Sequence, residues 1–264
     1  MINGPCPPTA LPRTLALDFD GVLCDGLPEY FSTAWRVYRR LWQTSNPEPP
    51  EDLATRFYRL RPVIETGWEM PILVRAILQD FLDRKILDQW GQIRDQIVRD
   101  ADLNSQTVSR QIDGVRDHWI AEDLSQWLAL HQFYPGVIAQ LQQLLDQNIE
   151  LVIISTKESR FIKMLLAEAG LVLAEDRIYG KDCRRPKVET LRLLKPTLPS
   201  PIWFIEDRLA ALLEVQQQRE LAELGLFLAD WGYTTVGDRN FADQDPHIHR
   251  LTLSQFCQDL ASWV

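Results

Sequence analysis

Residues 14–25 read TLALDFDGVLCD. The opening six, Thr14–Phe19, are a short apolar run that predicts a buried strand. The run ends in Asp18, Asp20 and Gly21, so two carboxylates sit where a strand passes into a turn. Downstream, from Pro28 to His131, the pattern is helical. Tyr30, Phe31, Ala34, Val37, Tyr38 and Leu41 fall on one helical face. Further helices are expected near 52–60, 70–82 and 86–98, and two more over 105–130 with a break near Gly114. Tyr134-Pro135-Gly136 closes this block. Strand and helix then alternate. Strands are expected at 150–154, 177–179, 202–205, 226–229 and 248–251, and helices at 137–147, 159–169, 187–194, 209–224 and from Ser254 on. A Gly-bearing loop through Gly232 and Gly237 is expected before the last strand.

Short apolar strands alternating with helices imply an α/β fold, a parallel sheet with helices on both faces. The first strand belongs to this sheet, so the helical block is an insertion. The expected organisation is a discontinuous α/β core of residues 13–22 and 134–264, an all-helical domain of 23–133, and a Pro-rich tail of 1–12.

Composition narrows the class. At 45% apolar and 25% charged residues, the 264-residue chain is an ordinary globular sequence, not a disordered one. Lys and Arg number 28 against 37 Asp and Glu, a net charge of −9. That balance gives no broad attraction to nucleic acid or to an anionic membrane. Cys6, Cys24, Cys183 and Cys257 form no CxxC pair, which argues against a zinc cluster or disulfide scaffold. No apolar run approaches the roughly 20 residues of a bilayer span, and Met1–Pro12 lacks the pattern of a signal peptide. The expected location is the cytoplasm.

Ligands of parallel sheets bind beyond the carboxyl ends of the strands. The polar residues there are Asp18 and Asp20, then Ser155 and Thr156 with Lys157, then Glu206 and Asp207, with Lys187 at a helix start facing the same edge. Carboxylates, a hydroxyl and a lysine suit an anion bound together with Mg²⁺, which prefers oxygen ligands. Phosphoryl transfer has a role for each of them. One carboxylate can act as nucleophile and a second as general acid, while the lysine neutralises phosphoryl oxygens.

These motifs resemble the haloacid dehalogenase superfamily of phosphohydrolases. DFDGVLCD is similar to its first motif, which implies Asp18 as nucleophile and Asp20 as acid/base. IIST with Lys157 resembles the second, with Ser155 as the phosphate-binding hydroxyl and Thr156 as the alternative. RRPKVETL resembles the third, with Lys187, or alternatively Lys181, as its lysine. FIEDR resembles the fourth, with Asp207 and Glu206 joining Asp18 and the Asp20 carbonyl as ligands of a Mg²⁺ cofactor. The family often carries another aspartate four or five residues further on, where this chain has Ala211 and Leu212. The resemblance implies a Rossmann-like three-layer core whose helical insertion is a C1-type cap.

Plainer readings stand beside these. Ser155 could cap the following helix, and Glu206 could orient Lys187. Arg61, in the irregular stretch LRPVIETGWEMP, is a candidate for a substrate anion or a tie between helices, and Arg56, Arg59 and Arg116 have weaker claims. The function expected is a Mg²⁺-dependent phosphomonoester hydrolase of a small phosphorylated metabolite, working through an aspartyl-phosphate as a monomer or weak homodimer, with no nucleic-acid or membrane partner. The alternatives are a phosphomutase of the same superfamily and a non-catalytic binding or assembly protein that retains the fold.

Overall fold

Thr14–Leu17 (β1) is buried on both faces and occupies the middle of a six-stranded sheet. A computed structural model of the chain describes residues 10–264, so most of the Pro-rich tail lies outside the described residues. The other strands are Cys24–Asp25 (β2), Gln132–Phe133 (β3), Glu150–Ile154 (β4), Ile178–Tyr179 (β5), Ile202–Glu206 (β6), Gly225–Ala229 (β7) and Ile248–Leu251 (β8). The large sheet has the order β5-β4-β1-β6-β7-β8, and every pairing in it is parallel. The helices are Leu27–Leu41 (α1), Leu53–Leu60 (α2), Met70–Leu78 (α3), Asp83–Asp100 (α4), Ser105–Leu128 (α5), Val137–Asp146 (α6), Ser159–Glu168 (α7), Lys187–Leu194 (α8), Leu209–Gln216 (α9), Val236–Ala242 (α10) and Leu253–Phe256 (α11).

The chain divides into two units: residues up to Asp25 together with Gln132–Val264, and Gly26–His131. In the α/β unit the side chains of alternate strand residues reach opposite faces. Ala16, Val152, Phe204 and Leu226 point to one face, where Leu191 of α8 and Leu212 and Val215 of α9 cover them. On the other face Trp203 packs against Phe227 and Trp263, with ring centroids 4.7 and 5.9 Å apart. Helices α6 and α7 lie along β4 and β5. The result is an α/β core of a parallel sheet flanked by helices. β2 and β3 form a separate antiparallel ribbon, Cys24 opposite Phe133 and Asp25 opposite Gln132.

The helical unit is built on α1, which packs against α3 and α5. Its apolar face, with Tyr30, Phe31, Ala34 and Val37, is buried. A polar centre lies inside it. The fully buried Glu29 accepts two hydrogen bonds from Arg116, each 2.8 Å, and one from Thr33 at 2.6 Å. Arg56 and Arg59 both reach Asp83, tying α2 to the start of α4.

Three local expectations change. The break of α5 lies at Asp123 (φ −152°, ψ 81°), not at Gly114. An isolated glycine only weakens a helix, by about 1 kcal/mol, whereas the Asp123 carboxylate accepts from the Gln126 amide at 2.9 Å and caps a new start. The helix after β6 ends at Gln216, short of Leu224. The stretch expected as loop contains α10, started by a capping box between Thr235 and Asp238. Its seven residues, about two turns, are too few to show periodicity.

Breaking the Glu29 centre leaves a largely buried guanidinium without its carboxylate. Removing one partner of such a pair costs about 3–5 kcal/mol. Glu29→Ala is therefore expected to lower the stability of the helical unit by about 3 kcal/mol in urea unfolding. An unchanged midpoint would show that the pair is not what holds α1 to α5.

Candidate active site

The order of the large sheet reverses at β1, which runs between β4 and β6. Such a switch point opens a crevice at the carboxyl edge of a parallel sheet. Asp18 follows β1 directly, and its N–H donates to the Ile205 carbonyl at 3.0 Å. Leu17 faces Ile205 in the ladder, so Asp18 is carried opposite Glu206, the last residue of β6. Asp207 comes next. Oxygens of Asp18, Glu206 and Asp207 lie within 4.8 Å of one another, and all three residues are buried.

One cation sits among them. Lys187, the first residue of α8, places Nζ 2.9 Å from Asp18 Oδ1 and 2.5 Å from Glu206 Oε2. The contact with Asp18 is electrostatic, because Asp18 Oδ1 is buried and receives no well-directed hydrogen bond. Backbone amides hold two further oxygens. Arg208 N–H donates to Glu206 Oε1 at 3.0 Å, and Tyr233 N–H donates to Asp207 Oδ2 at 2.7 Å. Two glycines make room. Gly21 has φ +91°, and a Cβ there or at Gly232 would collide with Asp207.

Burial sets the proton affinities. It pushes Asp18 up to about 6, against the pull of Lys187. It pushes Glu206 up to about 7, again against Lys187, with Asp207 adding to the rise. Asp207 rises through burial first and the Asp18 charge second. Burial works against the Lys187 charge, but Asp18 and Glu206 outweigh it and raise its pKa. Three carboxylates against one ammonium leave two negative charges when all are ionised. The donor set is all oxygen, with one carboxylate oxygen lacking a hydrogen bond, and this chemistry fits a hard divalent cation.

Asp20 stands apart from this cluster. Its carboxylate pairs with Lys157, Nζ to Oδ1 3.1 Å, both side chains mostly buried. Ser155 is buried at the end of β4, and its Oγ accepts from the Lys157 amide at 3.3 Å; α7 starts only at Ser159. Thr156 is exposed, as is Lys181. At the position where the family often has an aspartate, Leu212 is fully buried in the sheet's core. Cys24 is a buried thiol whose proton affinity burial raises further.

The helical unit holds the arginine candidates. Arg61 donates to the Ile64 carbonyl at 3.0 Å and lies over the Tyr30 ring. Arg56, Arg59 and Arg116 hold Asp83 and Glu29, as above. Two features of the α/β unit go beyond the sequence reading. The pairing of Lys157 with Asp20 has no local sequence signal beyond a lysine two residues past a strand-end hydroxyl. The role of Tyr233 as amide donor to Asp207 is signalled only by the glycine before it.

A family model for haloacid dehalogenase-like hydrolases matches residues 12–213. The chain belongs to the haloacid dehalogenase-like hydrolase family. The match takes in β1, the helical unit, and every element through β6 and the first turns of α9. No curated protein matches the sequence. Among solved structures, this hydrolase is similar to a predicted phosphatase from Clostridium acetobutylicum, with 15% identity, a TM-score of 0.59, and coverage of 96% of this chain and 99% of that one. It is also similar to a candidate phosphoglycolate phosphatase from Lactobacillus delbrueckii subsp. bulgaricus, with 15% identity, a TM-score of 0.59, and coverage of 90% and 94%. At these identities the likeness is one of fold. No helix among the described residues is long and apolar enough to cross a membrane.

The raised carboxylates make the metal-free hydrolase pH-sensitive. Asp18 and Glu206 titrate from 3.8 and 4.5 when unperturbed to about 6 and about 7 when folded. Between those values the folded chain holds more protons than the unfolded one, so stability falls as pH rises. In the presence of a chelator, urea stability is expected to decline from pH 5 to pH 8, and the slope to be shallower in Glu206→Gln. A stability that rises across this window would contradict the burial of the cluster.

Proposed function

We propose that this hydrolase is a Mg²⁺-dependent phosphatase that cleaves the phosphomonoester of a small metabolite through a covalent intermediate on Asp18. The observation that carries the reading is the position of Asp18: at the end of the central strand, at the switch point, 2.9 Å from Lys187 and grouped with Glu206 and Asp207. Similarity to proteins named as phosphatases agrees with it.

In this reading a carboxylate oxygen of Asp18 attacks phosphorus. The P–O bond to the leaving group breaks and its electron pair stays on the departing oxygen. Asp20 supplies the proton that oxygen needs, and Lys157 holds the Asp20 carboxyl in place. Asp20 then takes a proton from water, the water oxygen attacks the phosphorus of the aspartyl-phosphate, and phosphate departs with Asp18 restored. Lys187 offsets negative charge on the phosphoryl oxygens, and Glu206 fixes its ammonium in position. The Ser155 hydroxyl is a donor for a third oxygen. Asp18, Asp207 and Glu206, with the Asp20 carbonyl, would hold Mg²⁺. When bound, the ion supplies positive charge against the phosphoryl group and the two surplus negative charges of the cluster.

The test is phosphate release from a panel of phosphorylated metabolites. Turnover is expected with Mg²⁺ and not with chelator. It is expected to vanish in Asp18→Asn and to fall at least about 100-fold in Asp20→Asn. Mg²⁺ is also expected to raise the melting temperature more at pH 8 than at pH 5.5, since the cluster is more fully ionised there. Chelator-insensitive turnover, or turnover retained in Asp18→Asn, would overturn the mechanism. Isomerised sugar phosphate without free phosphate would identify a mutase, and an inert chain a binding protein.

A further inference from the structure

Both buried lysines of the site are already engaged. Lys187 lies between Asp18 and Glu206, and Lys157 holds Asp20. An anionic substrate therefore meets a locally acidic edge, and its further negative charge needs other cations. They stand beside the site. A cavity of about 340 Å³ has Ser155, Thr156, Lys181, Arg184, Arg185 and Lys187 among its lining residues. This lies within the size range of small-molecule sites, about 300–1,000 Å³. It shares Ser155 and Lys187 with the catalytic edge, so a molecule seated there reaches both that edge and the arginines.

Arg184 and Arg185 are exposed, and among the described residues neither guanidinium pairs with a carboxylate. The backbone beneath the two arginines is pinned. Arg184 adopts a left-handed conformation, φ 52°, as the cap that ends the short 3-10 turn Lys181–Cys183. Its N–H bonds the Lys181 carbonyl at 3.0 Å. Pro186 follows Arg185 and restricts it, and α8 begins at Lys187. Consecutive guanidinium groups are thus presented from a fixed turn in an otherwise acidic chain.

We propose that Arg184 and Arg185 bind a second anionic group of the substrate, which makes the substrate a small phosphorylated acid or a bisphosphate. Guanidinium groups pair with carboxylate and phosphate alike through two parallel N–H bonds. The selection is made by the α/β unit itself, on the turn that leads into the catalytic lysine. The inference rests on the phosphatase reading above.

Matched substrates test it. Phosphate release is compared for glycerol 3-phosphate against glycerate 3-phosphate, which adds a carboxylate, and for fructose 6-phosphate against fructose 1,6-bisphosphate, which adds a phosphate. The wild-type chain is expected to favour the doubly anionic member of at least one pair by tenfold or more in kcat/KM, and which pair shows it identifies the anion. In Arg184→Gln/Arg185→Gln that advantage is expected to shrink below threefold, chiefly through KM, and lysine at both positions to restore part of it. If the double variant melts at a lower temperature, the single variants carry the same comparison. The inference fails if the wild type shows no preference, or if the preference survives in the variants. No turnover of any probe by the wild type would instead remove the phosphatase reading, and this inference with it.

Discussion

A buried carboxylate costs several kcal/mol unless a cation or hydrogen-bond donors accompany it, and this chain buries three at the same point. The residues around them answer that constraint. Lys187 lies between two of the carboxylates, and the amides of Arg208 and Tyr233 serve the second and third. Gly21 and Gly232 are small because Asp207 occupies the space a side chain would need. The remaining imbalance is carried by raised proton affinities.

The sheet supplies the precision. Asp18 is aligned by the ladder between β1 and β6, and Ser155 by the end of β4. Side chains set on adjacent buried strands move little, which holds the groups of the site in one arrangement. The loops after the strands add what the strands cannot: a second ion pair between Lys157 and Asp20, and the arginine turn before α8.

Much of this was legible in the sequence because the strands are short, apolar and bounded by polar residues. The strands 150–154 and 248–251 and the helix 187–194 coincide with the observed elements. The membership of β1 in the sheet followed from its isolation, since a buried strand with no neighbour in sequence must find partners far along the chain; its central place did not. What stayed hidden is what depends on side-chain meeting. Nothing local to Lys157 reveals that its ammonium turns to Asp20, and only the preceding glycine hints that the Tyr233 amide donates to Asp207. In the helical unit, Gly114 looked like a breaker, but an aspartate offering a cap to the residues after it restarts the helix more effectively than a glycine interrupts it.

The β2–β3 ribbon has a consequence for how such chains can change. Cys24–Asp25 and Gln132–Phe133 lie side by side as antiparallel partners, and facing Cα atoms in such a pair are about 4.5–5.5 Å apart. The helical unit is spliced into what could otherwise be a hairpin, so its two ends need almost no span between them. Closure entropy grows only with the logarithm of the inserted length. An insert can therefore lengthen, shorten or be exchanged for an unrelated one while the register of the six-stranded sheet, and the carboxylates it aligns, stays as it is.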